Sequence, residues 1–239
     1  MRKLGIIGGT SWNSTVLYYE HINRGVAAKL GGLHSARLII ESLDCEADYA
    51  HFHRVGDWAG GEAVAVAAAE RLKTAGAEGL LLASNTLHKH AEAVKASIGL
   101  PLLHIGDVTA EQVSSDRRTN VALLGTRTTM SEGFIRDSFE RRGITLAALE
   151  PSWMSEVDRI IYQELAAGRV VRDSQRKLKT LITELGKKRV QAIVLGCTEL
   201  VLAIDPRANI LPVYDTTAIH ARAAVEWILG EREEARAAA

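Results

Sequence analysis

The chain has 239 residues, 47% of them apolar, and its 29 basic and 29 acidic side chains are interspersed, so composition leaves no nucleic-acid footprint and allows one large domain or two small ones with a substantial core. No apolar run approaches the ~20 residues of a membrane span, and no signal-peptide pattern follows Met1-Arg2-Lys3. Two cysteines, Cys45 and Cys197, are too few for a disulfide framework, which points to a reduced, cytoplasmic protein.

Residues 3–7 read as a first strand, followed by the turn Gly8-Gly9-Thr10-Ser11. Ser14 or Thr15 can cap a helix running to about residue 29, with Val16, Tyr19, Ile22 and Val26 at helical spacing. Residues 36–43 read as a second strand and 44–58 as an irregular polar loop bearing Tyr49, His51, Phe52 and His53. A polar loop after a strand is a natural substrate-facing segment. An Ala-rich helix over 62–75 stops at Gly76, and the apolar run 79–83 is a buried strand ending in Ser84-Asn85-Thr86-Leu87-His88. A helix near 89–98, a strand after Pro101, a helix over 109–113 and the polar break Ser114-Ser115-Asp116 come next. Then follow a strand over 121–124, the hydroxyl-rich turn Thr126-Arg127-Thr128-Thr129, a helix through Phe139 and a strand over 144–149. Helices over 153–167 and 173–185 lead to the buried strand 190–195, which ends in Gly196-Cys197-Thr198-Glu199. A short strand after Pro212 and a helix over 216–229 complete the pattern, and the tail 231–239 lacks apolar anchors and is expected to fray. Strands alternating with helices predict an α/β fold of parallel sheets covered on both faces.

Three landmarks recur in the same order at nearly constant spacing. Ile6-Ile7-Gly8-Gly9-Thr10 matches Leu123-Leu124-Gly125-Thr126, Ser84 matches Cys197, and Leu100-Pro101-Leu102 matches Leu211-Pro212-Val213. One α/β unit used twice explains the pattern.

Cys197 is the leading candidate for chemistry. It ends a buried strand, where open α/β sheets place ligands, and it precedes a possible helix N-terminus, whose amides favour thiolate over thiol. The competing reading is a core thiol; Cys45 has no such context and reads as structural or incidental. Ser84-Asn85-Thr86 could be a simple helix start, but that explains one residue of the run, and a substrate-facing turn with anion-binding amides explains all three. Glu199 is either a first-turn acid or the group that positions Cys197. Gly5, Gly8 and Gly9 lack the spacing of a dinucleotide fingerprint, so no nucleotide cofactor is expected. The His51/His53 and His88/His90 pairs would point to opposite sides of a helix and no cluster has zinc spacing, so no metal is expected either. His53 faces either the distal carboxylate of a substrate or solvent, and His88 and Lys89 are expected along a solvated helix face.

At these residues the sequence resembles the aspartate/glutamate racemase family. The motifs are Leu4-Gly5-Ile6-Ile7-Gly8-Gly9 with Ser11-Trp12, Ser84-Asn85-Thr86-Leu87-His88-Lys89, Gly196-Cys197-Thr198-Glu199 and Pro212-Val213-Tyr214-Asp215. The resemblance implies two pseudo-symmetric domains with the active site in the cleft between them, here 1–103 with 213–239, and 104–212. It implies a racemase free of pyridoxal phosphate or any other cofactor, with acid/base groups at positions 84 and 197. Asn85, Thr86 and Thr198 would bind the α-carboxylate and amine, while Thr10, Ser11 and Thr126 would wall the cleft. A homodimer is expected on the same grounds. The family has cysteines at both catalytic positions, whereas here the first is Ser84.

Racemisation removes a proton from one face of a carbon and returns one to the other, most directly with two acid/base groups. A thiol suits the role because its reference pKa is about 8.5. A serine hydroxyl is a poor base but can donate to a carbanion. In the family the second thiol faces the L-enantiomer, so the replacement predicts L-selectivity. A dicarboxylic substrate would need a cation for its distal carboxylate, with Arg24, Arg54 and Arg127 as candidates. Two alternatives stand beside this reading: a malonate-type decarboxylase of the same superfamily, and an amino-acid-binding protein with little turnover.

Overall fold

The computed structural model describes residues 1–230, except for the side chain of His53. The chain divides into two compact units, one formed by 1–104 with the chain from His220 onward and the other by Ile105–Ile219. The expected tail at 231–239 lies outside the described residues.

The first unit is a parallel sheet of order β2-β1-β3-β4, with β1 Leu4–Gly8, β2 Leu38–Ser42, β3 Gly79–Leu82 and β4 Leu102–Leu103. Alternation along the strands splits its core in two. Leu4, Ile6, Leu81 and Ala83 face α1 (Trp12–Leu30) and α10 (Thr216–Leu229), meeting Tyr18, Ile22, Val26, Val225 and Ile228. Ile7, Leu80 and Leu82 face α3 (Trp58–Thr74) and α4 (Ala91–Ile98), where small residues such as Ala65, Ala68 and Ala69 let the helix lie close to the sheet. Strands buried on both faces are why these segments read as continuous apolar runs.

The second unit repeats the layout, with order β6-β5-β7-β8 over β5 Asn120–Gly125, β6 Thr145–Leu146, β7 Ala192–Gly196 and β8 Val213–Asp215. Ala122, Leu124, Ile193 and Leu195 pack against α8 (Pro151–Gln163) and α9 (Arg172–Lys187) through Val157, Ile160, Leu178 and Leu181. α5 (Ile105–Ser115) packs against α7 (Gly133–Glu140).

The structure differs from the sequence reading in several places. β8 hydrogen-bonds to β7, so the chain rejoins the first unit at His220 rather than at Val213, and the first crossing follows His104 rather than residue 103. Residues 44–58 are not irregular: Asp44 caps a π-helical turn, Cys45–Ala50, that continues into α2 (His51–Val55), and Asp57 caps α3, which begins at Trp58 rather than residue 62. On α1 the buried stripe is Tyr18, Ile22 and Val26, while Val16 and Tyr19 lie off it and are exposed. The helix expected after Thr126 is broken at Glu132 into α6 (Arg127–Ser131) and α7, and the strand expected over 144–149 pairs only over β6. Among the described residues, no helix is long and apolar enough to cross a membrane.

Candidate active site

The two units present equivalent turns. Leu80 donates its amide to the carbonyl of Pro101, and Ile193 donates to that of Pro212. Ser84 stands four residues after Leu80, and Cys197 four after Ile193. The neighbouring strands agree, since Gly125 pairs with Gly196 while Ile7 pairs with Leu82, one residue earlier in the motif. Ser84 and Cys197 thus occupy the same place, just beyond the C-terminal end of the second strand from the edge of β4 or β8.

In the second unit, Cys197 has extended backbone (φ −152°, ψ 130°) and caps a short 3₁₀ helix, Thr198–Leu202. Its thiol packs into the apolar cluster of Leu195, Leu200 and Ile204. It donates to Glu199 Oε2 over 3.0 Å, and the Thr198 hydroxyl donates to the same oxygen over 2.7 Å. Burial pushes the Cys197 thiol well above its ordinary pKa, and the charge and hydrogen bond of Glu199 push it further, against the backbone amides of Glu199 and Leu200. This corrects the expectation of a thiolate favoured by a helix N-terminus. Five residues of 3₁₀ helix offer little dipole, and a carboxylate accepting from the thiol outweighs it. Thr126 closes β5 beside Cys197 and caps α6, its Oγ1 lying 3.0 Å from Thr129 Oγ1. A Cβ at Gly125 would lie 2.9 Å from the Gly196 carbonyl, against fixed backbone, and one at Gly196 would lie 2.8 Å from Leu123 Cδ1, which would have to shift.

In the first unit, Ser84 is half-buried and its Oγ accepts from Leu87 N over 3.4 Å, opening a 3₁₀ helix at Thr86–His90. Asn85 is buried and Thr86 half-buried in the same turn. The Gly9–Ser11 turn ends the neighbouring strand β1. Gly9 has φ +87°, and a Cβ there would lie 2.0 Å from the Leu43 carbonyl, so only glycine makes this turn. Ser11 is engaged as the N-cap of α1, accepting from Ser14 N over 3.4 Å, and Thr10 precedes it half-buried.

The remaining candidates separate. Arg24 is paired with Glu20 and Arg54 with Glu46, both on the surface. Arg127 is exposed, its guanidinium on Ser155 and its amide on Asp158. None is singled out as a distal-carboxylate cation. Cys45 starts the π-helical turn. His53 lies in α2, and its side chain is outside the described residues. Among the described residues, no group of three or more His, Cys, Asp and Glu side chains could hold a metal ion.

His88 does not lie on a solvated face. It is buried, its Nδ1 is 2.7 Å from the Ser84 carbonyl, and its ring meets those of His104 and His220 at centroid distances of 4.7 and 5.6 Å. Lys89 is half-buried, with its ammonium 4.1 Å from the centroid of the Trp58 ring. Tyr49 and His90 form a second buried pair, 3.3 Å apart. The sequence reading placed neither the His88 cluster nor the Tyr49–His90 pair. The signal was there at His220, which falls on the apolar face of α10 between Ile219 and Ala221.

A family model described as Asp/Glu/Hydantoin racemase matches residues 7–224. The chain is similar to a Yersinia pestis protein designated a candidate Asp/Glu racemase, at 43% identity and a TM-score of 0.90 over 96% of this chain and 100% of that one. It is similar to an aspartate racemase homologue from Pyrococcus horikoshii OT3, at 31% identity and a TM-score of 0.81, again over 96% and 100%. It also resembles the broad specificity amino-acid racemase RacX of Bacillus subtilis (strain 168), 23% identical over 161 residues, 67% of this chain and 69% of that protein. With the family model spanning both equivalent turns, the chain belongs to the Asp/Glu/hydantoin racemase family.

Proposed function

We propose that this protein is a cofactor-independent amino-acid racemase acting on aspartate or glutamate, with Cys197 and Ser84 as its two acid/base groups. The observation that carries the reading is the equivalence of the two strand-end turns, one ending in a thiol bonded to a carboxylate and the other in a hydroxyl. The aspartate- and broad-specificity names of the similar proteins support the substrate class.

The Cys197–Glu199 pair supplies the base. With substrate bound, the Sγ–H proton passes to the Glu199 carboxylate, and the resulting thiolate takes the α-proton, breaking Cα–H and forming S–H. Thr198, bonded to the same Glu199 oxygen, holds that carboxylate in place. The Ser84 hydroxyl returns a proton to the opposite face; its alkoxide then takes a proton from water, and Glu199 releases the proton it accepted to solvent, which returns both groups to their starting states. The position matching Glu199 in the Ser84 turn is Thr86, so no carboxylate from that position sits there to make the hydroxyl basic. The enzyme is therefore L-selective: the thiol face abstracts efficiently and the hydroxyl face does not. The equilibrium constant is one, so kcat/KM is equal in the two directions, and selectivity takes the form of a slow kcat balanced by a low KM from the D-side.

Chiral chromatography of L- and D-aspartate and glutamate incubated with wild type and Ser84→Ala tests this. The expected result is L-to-D conversion by wild type and loss of conversion in the variant; full racemisation of both enantiomers by Ser84→Ala would remove Ser84 from the mechanism.

A further inference from the structure

Beneath the Ser84 turn lies a cluster that the reaction as written does not use. His88 donates from Nδ1 to the Ser84 carbonyl over 2.7 Å, and since a carbonyl only accepts, that nitrogen carries the proton. His220 bonds the Leu103 carbonyl through Nε2 over 2.9 Å, so its Nδ1 accepts from the Tyr18 hydroxyl, also over 2.9 Å. His104 stacks edge-on against His88. His104 and His220 are also the last and first residues of the first unit at the two points where the chain crosses to and from the second. Three imidazoles meet at one place, joined to β4, α1 and α10, and His88 and His220 are buried almost completely. Burial holds His88 well below its ordinary pKa, and the neighbouring His104 and His220 lower it further, so it stays a neutral, directional donor.

We propose that His88 is a positioning residue for Ser84, fixing the strand-end turn through its Nδ1–H and tying it to the two chain crossings through His104 and His220. This rests on the reading of Ser84 as the proton donor. In unit two the matching position is Val201, which cannot form such a bond; there the reactive side chain is oriented by Glu199 instead. Each turn thus has its own orienting group, a carboxylate on the thiol and an imidazole on the serine backbone.

The test compares His88→Asn with His88→Gln. The asparagine amide nitrogen stands where Nδ1 stands, whereas the glutamine amide falls nearer Nε2. Two readouts are taken: L-to-D conversion relative to α-proton exchange of the L-substrate, and amide hydrogen exchange at Leu87, whose N–H bonds Ser84 Oγ. The asparagine variant is expected to keep both. The glutamine variant is expected to lose conversion at least tenfold while L-exchange through Cys197 stays within about twofold, and its Leu87 amide is expected to exchange at least tenfold faster. If the two variants behave alike, whether both intact, both inactive or both unfolded, the proposal is overturned, because His88 then serves the core and not the turn. The Leu87 readout needs no turnover, so a wild type without activity would sink the racemase reading while this comparison still decides the role of His88.

Discussion

Cys197 is held by two opposing demands. Packing against Leu195 and Leu200 keeps it out of water, and the same burial, with Glu199 beside it, keeps it protonated. A thiol that is raised above its ordinary range, about 8.5, is inert toward alkylation at neutral pH and reacts only as the pH climbs past that range. In Glu199→Gln the raising effect of the carboxylate charge vanishes and only a neutral amide acceptor remains, so site-resolved iodoacetamide labelling of Cys197 is expected to begin at lower pH, while turnover falls because the thiol has lost its proton acceptor. Labelling that is unchanged in Glu199→Gln would mean that the carboxylate does not set the thiol's state. For Cys197→Ser, the loss of the abstracting group is expected to lower α-proton exchange by about 10²–10⁴-fold, the usual range for a positioned acid/base group. The sequence offered Glu199 as a group that could position Cys197, but not that it would hold the thiol protonated. Gly196-Cys197-Thr198-Glu199 announces a reactive turn, but only the folded backbone brings the Glu199 carboxylate back onto the thiol two residues before it. His88 was misjudged for a similar reason: a histidine beside Lys89 looks like a surface residue until the Ser84 carbonyl and two further imidazoles are seen to enclose it.

At the scale of elements, strands were easy to read and their margins were not. Runs such as Gly79–Leu82 and Ala192–Gly196 are apolar throughout because helices cover both faces, and Gly or Pro marks their ends. The segment from Cys45 to Val55 is polar, and its helical start is capped by Asp44, which accepts from the amides of Glu46 and Ala47. Two contacts between elements make predictions. A Cβ at Gly79 would lie 2.5 Å from Trp227 Cζ2, so Gly79→Ala must displace the buried Trp227 and with it α10. A destabilisation of about 1–3 kcal/mol in denaturant unfolding is expected, the range for overpacked cores. In the second unit, Glu156 on α8 accepts from Arg159 and from Lys177 on α9, which hold its carboxyl down to about 2. A depressed carboxyl contributes stability that is present above its unfolded pKa and lost as pH falls toward the folded value. Glu156→Gln is therefore expected to lower stability at pH 7 by on the order of 1 kcal/mol, discounted for partial exposure, and to flatten its fall between about pH 4.5 and 2. An unchanged acid profile would mean the ion pair adds nothing.

At the scale of the whole chain, the molecule is one α/β layout built twice, with the same strand order in each sheet. The repeat was visible in the sequence through Gly8 and Gly125, Ser84 and Cys197, and Pro101 and Pro212, because each marks the same event in its unit. The crossing point was less visible, since β8 and α10 adjoin without a break and only strand pairing assigns β8 to the second sheet. α10 covers the Leu4, Ile6 and Leu81 face of the first sheet, so a chain ending at Asp215 is expected to lose amide protection in β1 and β3 while β5 and β7 keep theirs. The proposed pairing of the Cys197 thiol and the Ser84 hydroxyl in one reaction is open to direct measurement. Proton NMR of L- and D-glutamate and aspartate in heavy water, with wild type and Cys197→Ser, tests it most directly. Loss of the α-proton signal from an L-substrate, accompanied by inversion, is expected, with both abolished in the variant. Retention of α-proton exchange in Cys197→Ser, or no exchange of any of the four amino acids by wild type, would contradict it.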